Sequence, residues 1–260
     1  MADDSVADLL ADLRAVLEDS ALRGVLTEER VSLPPAAPPP ALVSPPPDAP
    51  KSTPNPGWSS LASAARAAGP PAEGRLERVR GDLGDCQRCK LAKGRRTIVF
   101  GVGDPAADLV VVGEGPGAEE DRRGEPFVGR AGQMLDKMLE NVIGLPRSGV
   151  YILNVVKCRP PRNRNPEPDE VEACMPFLQK QIEAIEPKLL LVLGTVPYKA
   201  LFPGAGGITR ARGNWHEYRG IPTMPTFHPA YLLRKPDDKR LTFADLKAAR
   251  QRYDEMGGKR

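Results

Sequence analysis

The chain contains four cysteines, and their spacing suits a metal centre. Cys86 and Cys89 form a C-x2-C pair, 68 residues separate that pair from Cys158, and 15 separate Cys158 from Cys174. Four thiolates can bind either zinc or an iron–sulfur cluster. A zinc ribbon normally uses two short pairs, so the wide dispersion here favours [4Fe-4S]. Four unrelated buried cysteines are the structural alternative, and the tight pair argues against it.

Other residues with useful chemistry stand at or near the ends of apolar runs. The loop GEGPG at 113–117 follows LVVV, Asn154 interrupts YILNVV, and His228 follows TMPTF. Open α/β sheets bind ligands at the carboxyl ends of their strands. Phe127 stands in a loop, where its ring is available to stack on a base. An aromatic ring, an amide and an imidazole at one sheet edge predict a nucleobase pocket.

The GEGPG loop has a competing interpretation. GEGPGA also satisfies the loose dinucleotide fingerprint G-x-G-x-x-A, which requires a helix that opens at once and an acidic residue ~20 positions later. The proline inside the loop argues against that match, and glycines that let the backbone approach a planar ligand are the interpretation we retain. Core packing of Phe127 and local backbone pairing of Asn154 are the structural alternatives to a pocket.

Strand-like apolar runs alternate with helical patterns, which indicates an α/β fold with a sheet buried on both faces. The predicted strands are Ile98–Val102, Leu109–Val112, Val150–Val156, Leu189–Leu193 and Ile221–Phe227. The predicted helices are Gly132–Ile143, Asp169–Ile185 and Phe243–Tyr253. We therefore predict a three-layer α/β/α fold with a central, mostly parallel sheet.

Composition separates an N-terminal extension from this body. Residues 1–30 carry an apolar stripe at helical spacing and predict an amphipathic acidic helix, either a docking element for a protein partner or a helix without one. Residues 31–74 predict a flexible, disordered linker, because 11 of the 29 prolines lie between 31 and 56. Residues 1–74 carry 5 basic and 10 acidic residues, and 75–260 carry 32 and 24. A basic body at 75–260 makes nucleic acid a candidate ligand.

Composition also excludes several classes. Hydrophobic residues make up 40% of the chain, the mean hydropathy is −0.37, and no run approaches the ~20 apolar residues of a membrane helix. The first ten residues are acidic, where a signal peptide would be basic. We therefore expect a cytoplasmic protein with no membrane partner, which acts as a monomer.

From about residue 80 to 253 the chain resembles the type-4 (iron–sulfur) uracil-DNA glycosylases of bacteria and archaea. GEGPGAEEDRRGEPFVGRAG is similar to the first motif of that family, NVVKCRPPRNRNP to the middle motif and HPAYLL to the last. The resemblance implies the uracil-DNA glycosylase fold and an enzyme of base excision repair. Such an enzyme flips uracil out of single- or double-stranded DNA and hydrolyses its N-glycosidic bond, leaving an abasic site.

The resemblance also implies roles for individual residues. The substrate-binding residues would be Glu114, Gly115, Pro116, Phe127, Asn154 and His228, and the metal ligands Cys86, Cys89, Cys158 and Cys174. Phe127 would stack on the base and Asn154 would read its Watson–Crick edge, which excludes cytosine. The [4Fe-4S] cluster would be structural.

Catalysis would depend on three of these residues. His228 would face uracil O2 and stabilise the departing anion, with Asn154 contributing, and Glu114 would stabilise the cationic sugar or orient water. Gly115 stands where better-known uracil glycosylases have a catalytic aspartate, so the water-activating group is open, with Glu120 and Asp121 as secondary candidates.

Arginines flank the same strand ends and predict contacts to DNA phosphates. They are Arg122, Arg123, Arg130, Arg159, Arg162, Arg164, Arg210, Arg212 and Arg234, with Lys235 beside them. A solvated charged surface is the alternative for any one of them.

Two alternative functions remain. One is a relative that captures uracil-DNA covalently, disfavoured because residues 160–168 contain no histidine, and the other is an inactive iron–sulfur nucleic-acid-binding protein.

Overall fold

The computed structural model describes residues 70–259. Its strands are β1 (Val102–Gly103), β2 (Leu109–Gly113), β3 (Tyr151–Asn154), β4 (Leu189–Leu193), β5 (His216–Tyr218) and β6 (Ile221–Thr226). They form one six-stranded sheet in the order β1-β3-β2-β4-β6-β5. The inner four strands are parallel, and each edge strand is antiparallel to its neighbour. The predicted mostly parallel sheet is confirmed.

Eight α-helices accompany the sheet in the described part of the chain. They are α1 (Ala72–Leu83), α2 (Ala118–Arg123), α3 (Arg130–Met138), α4 (Pro168–Ile185), α5 (Thr195–Leu201), α6 (Ile208–Ala211), α7 (Pro229–Arg234) and α8 (Lys239–Glu255). A π-helical turn (Leu139–Ile143) continues α3, and short 3-10 turns occur at Lys90–Lys93, Arg147–Gly149, Pro161–Asn163 and Pro236–Asp238. No helix of residues 70–259 is both long and apolar enough to cross a membrane.

The sheet is buried on both faces, which gives the three layers. Val110 and Val112 of β2 point to one face, where they belong to a core with residues of α1 and α4. Leu109 and Val111 point to the other, where α3 and α8 contribute to a second core. Strand side chains alternate between faces, so a strand that is apolar throughout requires a cover on each side. The predicted α/β/α arrangement is confirmed.

Several predicted boundaries differ from the observed elements. The strand predicted at Ile98–Val102 is reduced to Val102–Gly103, because Gly101 and Gly103 adopt φ values of 143° and 131° that interrupt a regular ladder. Strand β5 was not predicted, since its three residues contain no apolar run. Helix α2 opens directly after the GEGPG loop, with Gly117 as its N-cap, so the helix that the dinucleotide fingerprint requires is present despite the proline inside the loop.

The N-terminal predictions fall largely beyond the structure. The acidic helix predicted at 1–30 lies outside the described residues, as does the predicted linker up to residue 69. Helix α1 begins at Ala72, three positions inside the predicted linker, directly after Pro71 at its N-cap. Its residues Leu76, Val79 and Leu83 pack into the core, and this packing stabilises a helix whose first turn lies within the predicted linker.

Candidate active site

A cavity of about 380 Å³ opens at the carboxyl ends of β2 and β3 and beside the residues that follow β6. Its walls come from the GEGPG loop, the loop before α3, the end of β3 with its following loop, and the start of α7. The lining residues are Glu114, Gly115, Pro116, Gly117, Glu120, Phe127, Ala131, Asn154, Pro160, Asn163, Arg164, Asn165, His228, Ala230, Tyr231 and Arg234. All six predicted substrate-binding residues are therefore brought together.

Asn154 lines this cavity and has an amide oxygen without a hydrogen-bond partner among the described residues. It is the last residue of β3, is 2% exposed, and pairs with Gly113 at the end of β2. Its Oδ1 atom is fully buried and accepts no hydrogen bond from any residue that the structure describes. A buried polar atom without a partner is rare and unfavourable, so this oxygen is suited to a ligand that brings a donor.

His228 is held in one tautomer by the helix that follows it. As the N-cap of α7, it accepts a hydrogen bond at Nδ1 from the backbone N–H of Ala230, at 3.1 Å. Burial lowers the pKa of His228 to about 4, and the nearby Arg234 cation contributes in the same direction. The neutral imidazole therefore carries its proton on Nε2, which makes Nε2 a hydrogen-bond donor.

Phe127 completes the aromatic side of the site. Its ring is 6% exposed and stacks on the His228 ring, with centroids 5.4 Å apart and planes 28° apart. Its backbone has a φ of 53°, in the left-handed region that a bulky residue rarely adopts. The surrounding structure must impose this conformation, which costs on the order of 1–3 kcal/mol.

Glu114 is the carboxylate that remains available in the cavity. Burial raises the pKa of its side chain, and no described residue donates a hydrogen bond to it. Its backbone carbonyl accepts from Val156, at 3.2 Å, and ties the loop to the segment after β3. At the next residue, a Cβ would lie 2.6 Å from Cγ2 of Val156, so Gly115 is required for this close approach.

The two secondary carboxylate candidates have structural roles. Glu120 accepts from the N–H of Gly117 with Oε2, and from Val128 and Gly129 with Oε1. Asp121 is buried and accepts at Oδ1 from the N–H of Arg96, at 2.8 Å. Carboxylates whose oxygens are occupied by backbone amides are poorly placed to activate water. Glu114 is the better candidate for the group that acts on water or the sugar.

The four predicted metal ligands lie in one region. Cys158 and Cys174 are buried in the core between the sheet and α4, and Cys86 and Cys89 pack against the same core. All four thiols are free, and no group of three or more His, Cys, Asp or Glu side chains within residues 70–259 forms a ready metal site. The C-x2-C pair lies between α1 and the first 3-10 turn.

Cationic groups surround these thiols. Nη1 of Arg88 lies 3.3 Å from Sγ of Cys86, and Nη1 of Arg95 lies 3.5 Å from Sγ of Cys158. The buried Lys157 interacts electrostatically with the thiols of Cys158 and Cys174. A cysteine-only donor set with two arginines and a lysine beside it suits the chemistry of a negatively charged metal–sulfur centre.

Several arginines predicted to contact DNA are occupied by internal partners. Arg122 pairs with Glu119, Arg164 with Glu170, Arg212 with Asp245, and Arg159 with Asn163. The side chains of Arg212 and Asp245 are 16% and 2% exposed, so this pair belongs to the packed fold, and the predicted DNA contact of Arg212 stays a prediction. Arg234 is exposed at the cavity rim and pairs with no acidic residue among those described.

Comparisons with known proteins show which family the chain is similar to. The profile described as the uracil DNA glycosylase superfamily matches residues 100–250, a range that contains every residue of the cavity. The chain is 42% identical over 184 residues to the type-4 uracil-DNA glycosylase of Sulfurisphaera tokodaii, covering 68% of this chain and 84% of the relative. The chain belongs to the type-4 uracil-DNA glycosylases.

Further relatives are uracil-DNA glycosylases of type 4 and of type 5. The type-4 uracil-DNA glycosylase of Thermotoga maritima is 44% identical over 169 residues, covering 64% of this chain and 88% of the relative. A type-5 uracil-DNA glycosylase of Thermus thermophilus is 33% identical over 122 residues, covering 42% of this chain and 55% of the relative. The predicted family resemblance is confirmed.

Some residues of this type-4 uracil-DNA glycosylase site were missed from the sequence. Asn163, Asn165 and Tyr231 line the cavity, and each lies within the quoted motifs, so proximity to Asn154 and His228 was an available signal. Arg147 does not line the cavity but contacts the backbone of Phe127, and nothing in its segment LPRSGV distinguishes it.

Proposed function

We propose that this type-4 uracil-DNA glycosylase removes uracil from single- and double-stranded DNA by hydrolysis of the N-glycosidic bond, and so starts base excision repair. One observation carries the assignment. The cavity combines a buried, unpaired Asn154 Oδ1 with the Nε2–H donor of a neutral His228. These two groups complement a flipped-out uracil and the anion that it becomes.

Asn154 supplies recognition of the base. Uracil presents a donor at N3–H and an acceptor at O4, which match the oxygen and the NH2 group of one side-chain amide. Cytosine presents a donor at its exocyclic amine where uracil presents an acceptor. Because Asn154 is fixed at the end of a buried strand, the wrong pattern leaves polar groups unpaired.

His228 and Glu114 supply the chemistry. Loss of the glycosidic bond leaves negative charge on uracil, and the Nε2–H of His228 donates to O2 of the anion. The imidazole is already neutral, so no proton needs to leave it before reaction. Glu114 faces the developing positive charge of the sugar and orients the attacking water, and Phe127 supports the base.

We propose that Cys86, Cys89, Cys158 and Cys174 hold a [4Fe-4S] cluster. The cysteine-only donor set and the neighbouring Arg88 and Arg95 cations suit such a centre. When bound, the cluster joins the segment before the first 3-10 turn to the segment after β3, which is a structural contribution and supplies no step of the hydrolysis.

We propose a cytoplasmic activity in a prokaryotic cell, because the relatives from Sulfurisphaera tokodaii and Thermotoga maritima come from prokaryotes and the proposed substrate is DNA. Arg234 at the cavity rim is available for phosphate contacts. Action as a monomer and a protein partner for residues 1–30 stay predictions.

The test is excision from single-stranded and duplex oligonucleotides that contain one uracil. We expect abasic-site formation by the wild-type chain, and loss of about 100-fold or more for Asn154→Ala and for His228→Ala. Near-wild-type rates for both variants would remove the proposal. An SDS-stable protein–DNA adduct would favour covalent capture, and DNA binding without excision would favour an inactive binding protein.

A further inference from the structure

The backbone of Phe127 is strained, and its strain must be maintained by neighbours. Among residues 70–259, five non-glycine residues have positive φ, and Phe127 is the one aromatic residue of that set. The segment Pro126–Gly129 that contains it lies between α2 and α3 and includes no regular structure. A left-handed aromatic residue in an irregular segment relaxes unless its peptide groups are held.

Arg147 holds the carbonyl side of this segment. Its Nη1 donates to the carbonyl of Phe127 at 3.0 Å, and its Nη2 donates to the carbonyl of Pro126. Nη1 also lies 3.1 Å from Oδ1 of Asp136 in α3, which orients the guanidinium. A planar guanidinium presents several N–H donors in a fixed geometry and so can hold two successive carbonyls together.

The amide side of the same segment is held by an anion. Oε1 of Glu120 accepts from the N–H of Val128 at 2.9 Å and from the N–H of Gly129 at 3.0 Å. A Cβ on Gly132 would lie 1.9 Å from the carbonyl oxygen of Phe127, so the glycine leaves room for this carbonyl. The Arg147 guanidinium therefore holds the carbonyls of Pro126 and Phe127. The Glu120 carboxylate holds the N–H groups of the two residues that follow Phe127.

We infer that Arg147 is a positioning residue for uracil excision. It does not line the cavity, and it acts through Phe127 by keeping that ring stacked on His228. The inference rests on the proposed function, because it assigns Arg147 to the same site. Without Arg147, two carbonyls lose their donors, the backbone leaves the left-handed region, and the ring moves away from the imidazole.

A double-mutant cycle tests this inference. Excision is measured under single-turnover conditions for the wild type, Arg147→Ala, Phe127→Ala and the double variant. We expect Arg147→Ala to lower the rate by about 10- to 100-fold, which is the range that misplacement of a site group produces. We expect no further loss when Arg147→Ala is added to Phe127→Ala, because the ring that Arg147 positions is then absent.

Arg250 provides a matched control. It donates to the carbonyl of Ile143 and pairs with Asp254, so it has a comparable role remote from the cavity. Arg250→Ala is expected to excise at the wild-type rate. Arg147→Lys is expected to recover part of the activity, since an ammonium can serve one carbonyl but not both in a fixed geometry.

Two results would overturn the inference. One is a wild-type rate for Arg147→Ala, and the other is multiplication of the two single effects in the double variant, which would mean that Arg147 acts independently of Phe127. If Arg147→Ala does not fold, the same cycle is run with Arg147→Lys and judged by the same criterion. A wild-type chain that excises no uracil would instead refute the proposed function.

Discussion

Gly113 and Asn154 are direct partners across β2 and β3, and a Cβ on Gly113 would lie 2.3 Å from Oδ1 of Asn154. The same Cβ would lie 2.5 Å from Cε2 of Phe127. The absence of a side chain at one strand end therefore creates the space in which the recognition amide and the aromatic ring meet.

Gly113→Ala should remove uracil excision, because the added methyl group would collide with the side chains of Asn154 and Phe127. We expect a loss of excision of about 100-fold or more, because both Asn154 and Phe127 must move. The free energy of unfolding should fall by about 1–3 kcal/mol from overpacking. Gly74→Ala in α1 is the control, since nothing lies within 4 Å of its Cβ, and it should keep the wild-type rate. Full activity of Gly113→Ala would contradict the geometry of the site.

His228 should remain neutral well below the pH at which an ordinary histidine titrates. Its pKa is lowered from 6.5 to about 4, so the unfolded chain binds the proton first as pH falls. Its contribution to stability is therefore complete above pH 6.5 and is lost as pH falls toward about 4. Nitrogen-15 NMR of the imidazole should detect the Nε2–H tautomer between these values. A titration midpoint near 6.5 would be inconsistent with the burial of the ring.

Glu114→Gln should separate stability from activity. Because burial raises the pKa of Glu114, the carboxylate destabilises the folded state at neutral pH, where it is charged. The neutral amide should raise the melting temperature and lower the excision rate. In the wild type, the rate should fall with decreasing pH as Glu114 gains a proton, at a pH above that of an ordinary glutamate. Loss of stability together with activity would argue for a purely structural Glu114.

Arg234 and Arg212 should respond differently to removal. Arg234→Ala should lower the slope of log affinity for DNA against log salt by about 1, as expected for one lost phosphate contact. Arg212→Ala should leave that slope unchanged and destabilise the fold by about 3–5 kcal/mol, because Asp245 is then buried without its cation. Salt titration of binding and denaturant unfolding measure the two effects. An unchanged slope for Arg234→Ala would exclude it from the DNA interface.

Removal of iron should affect the fold more than the chemistry. Chelation after oxidation should abolish visible absorbance and lower the melting temperature, since the proposed ligands Cys86 and Cys158 belong to segments far apart in sequence. Cys158→Ser should purify with less iron than the wild type. Stoichiometric zinc in a colourless, anaerobically purified protein would contradict the [4Fe-4S] proposal.

The architecture and several residues that line the cavity could be predicted from the amino-acid pattern alone. Apolar runs predicted the inner strands, because burial on both faces requires continuous hydrophobicity, and Glu114, Asn154 and His228 were recognisable at or near the strand ends. Edge strand β5 was not recognisable, since an edge strand of three residues needs no such run.

Which charged residues are available for function depends on how the chain packs. Arg212 and Asp245 are 33 positions apart, and Arg147 and Phe127 are 20 apart, so no local pattern relates them. An arginine looks the same in the sequence whether it binds DNA, donates to a backbone carbonyl or forms a buried ion pair. The role of each arginine depends on which partner the fold places within hydrogen-bond distance. Packing sets that partner, and spacing along the chain does not.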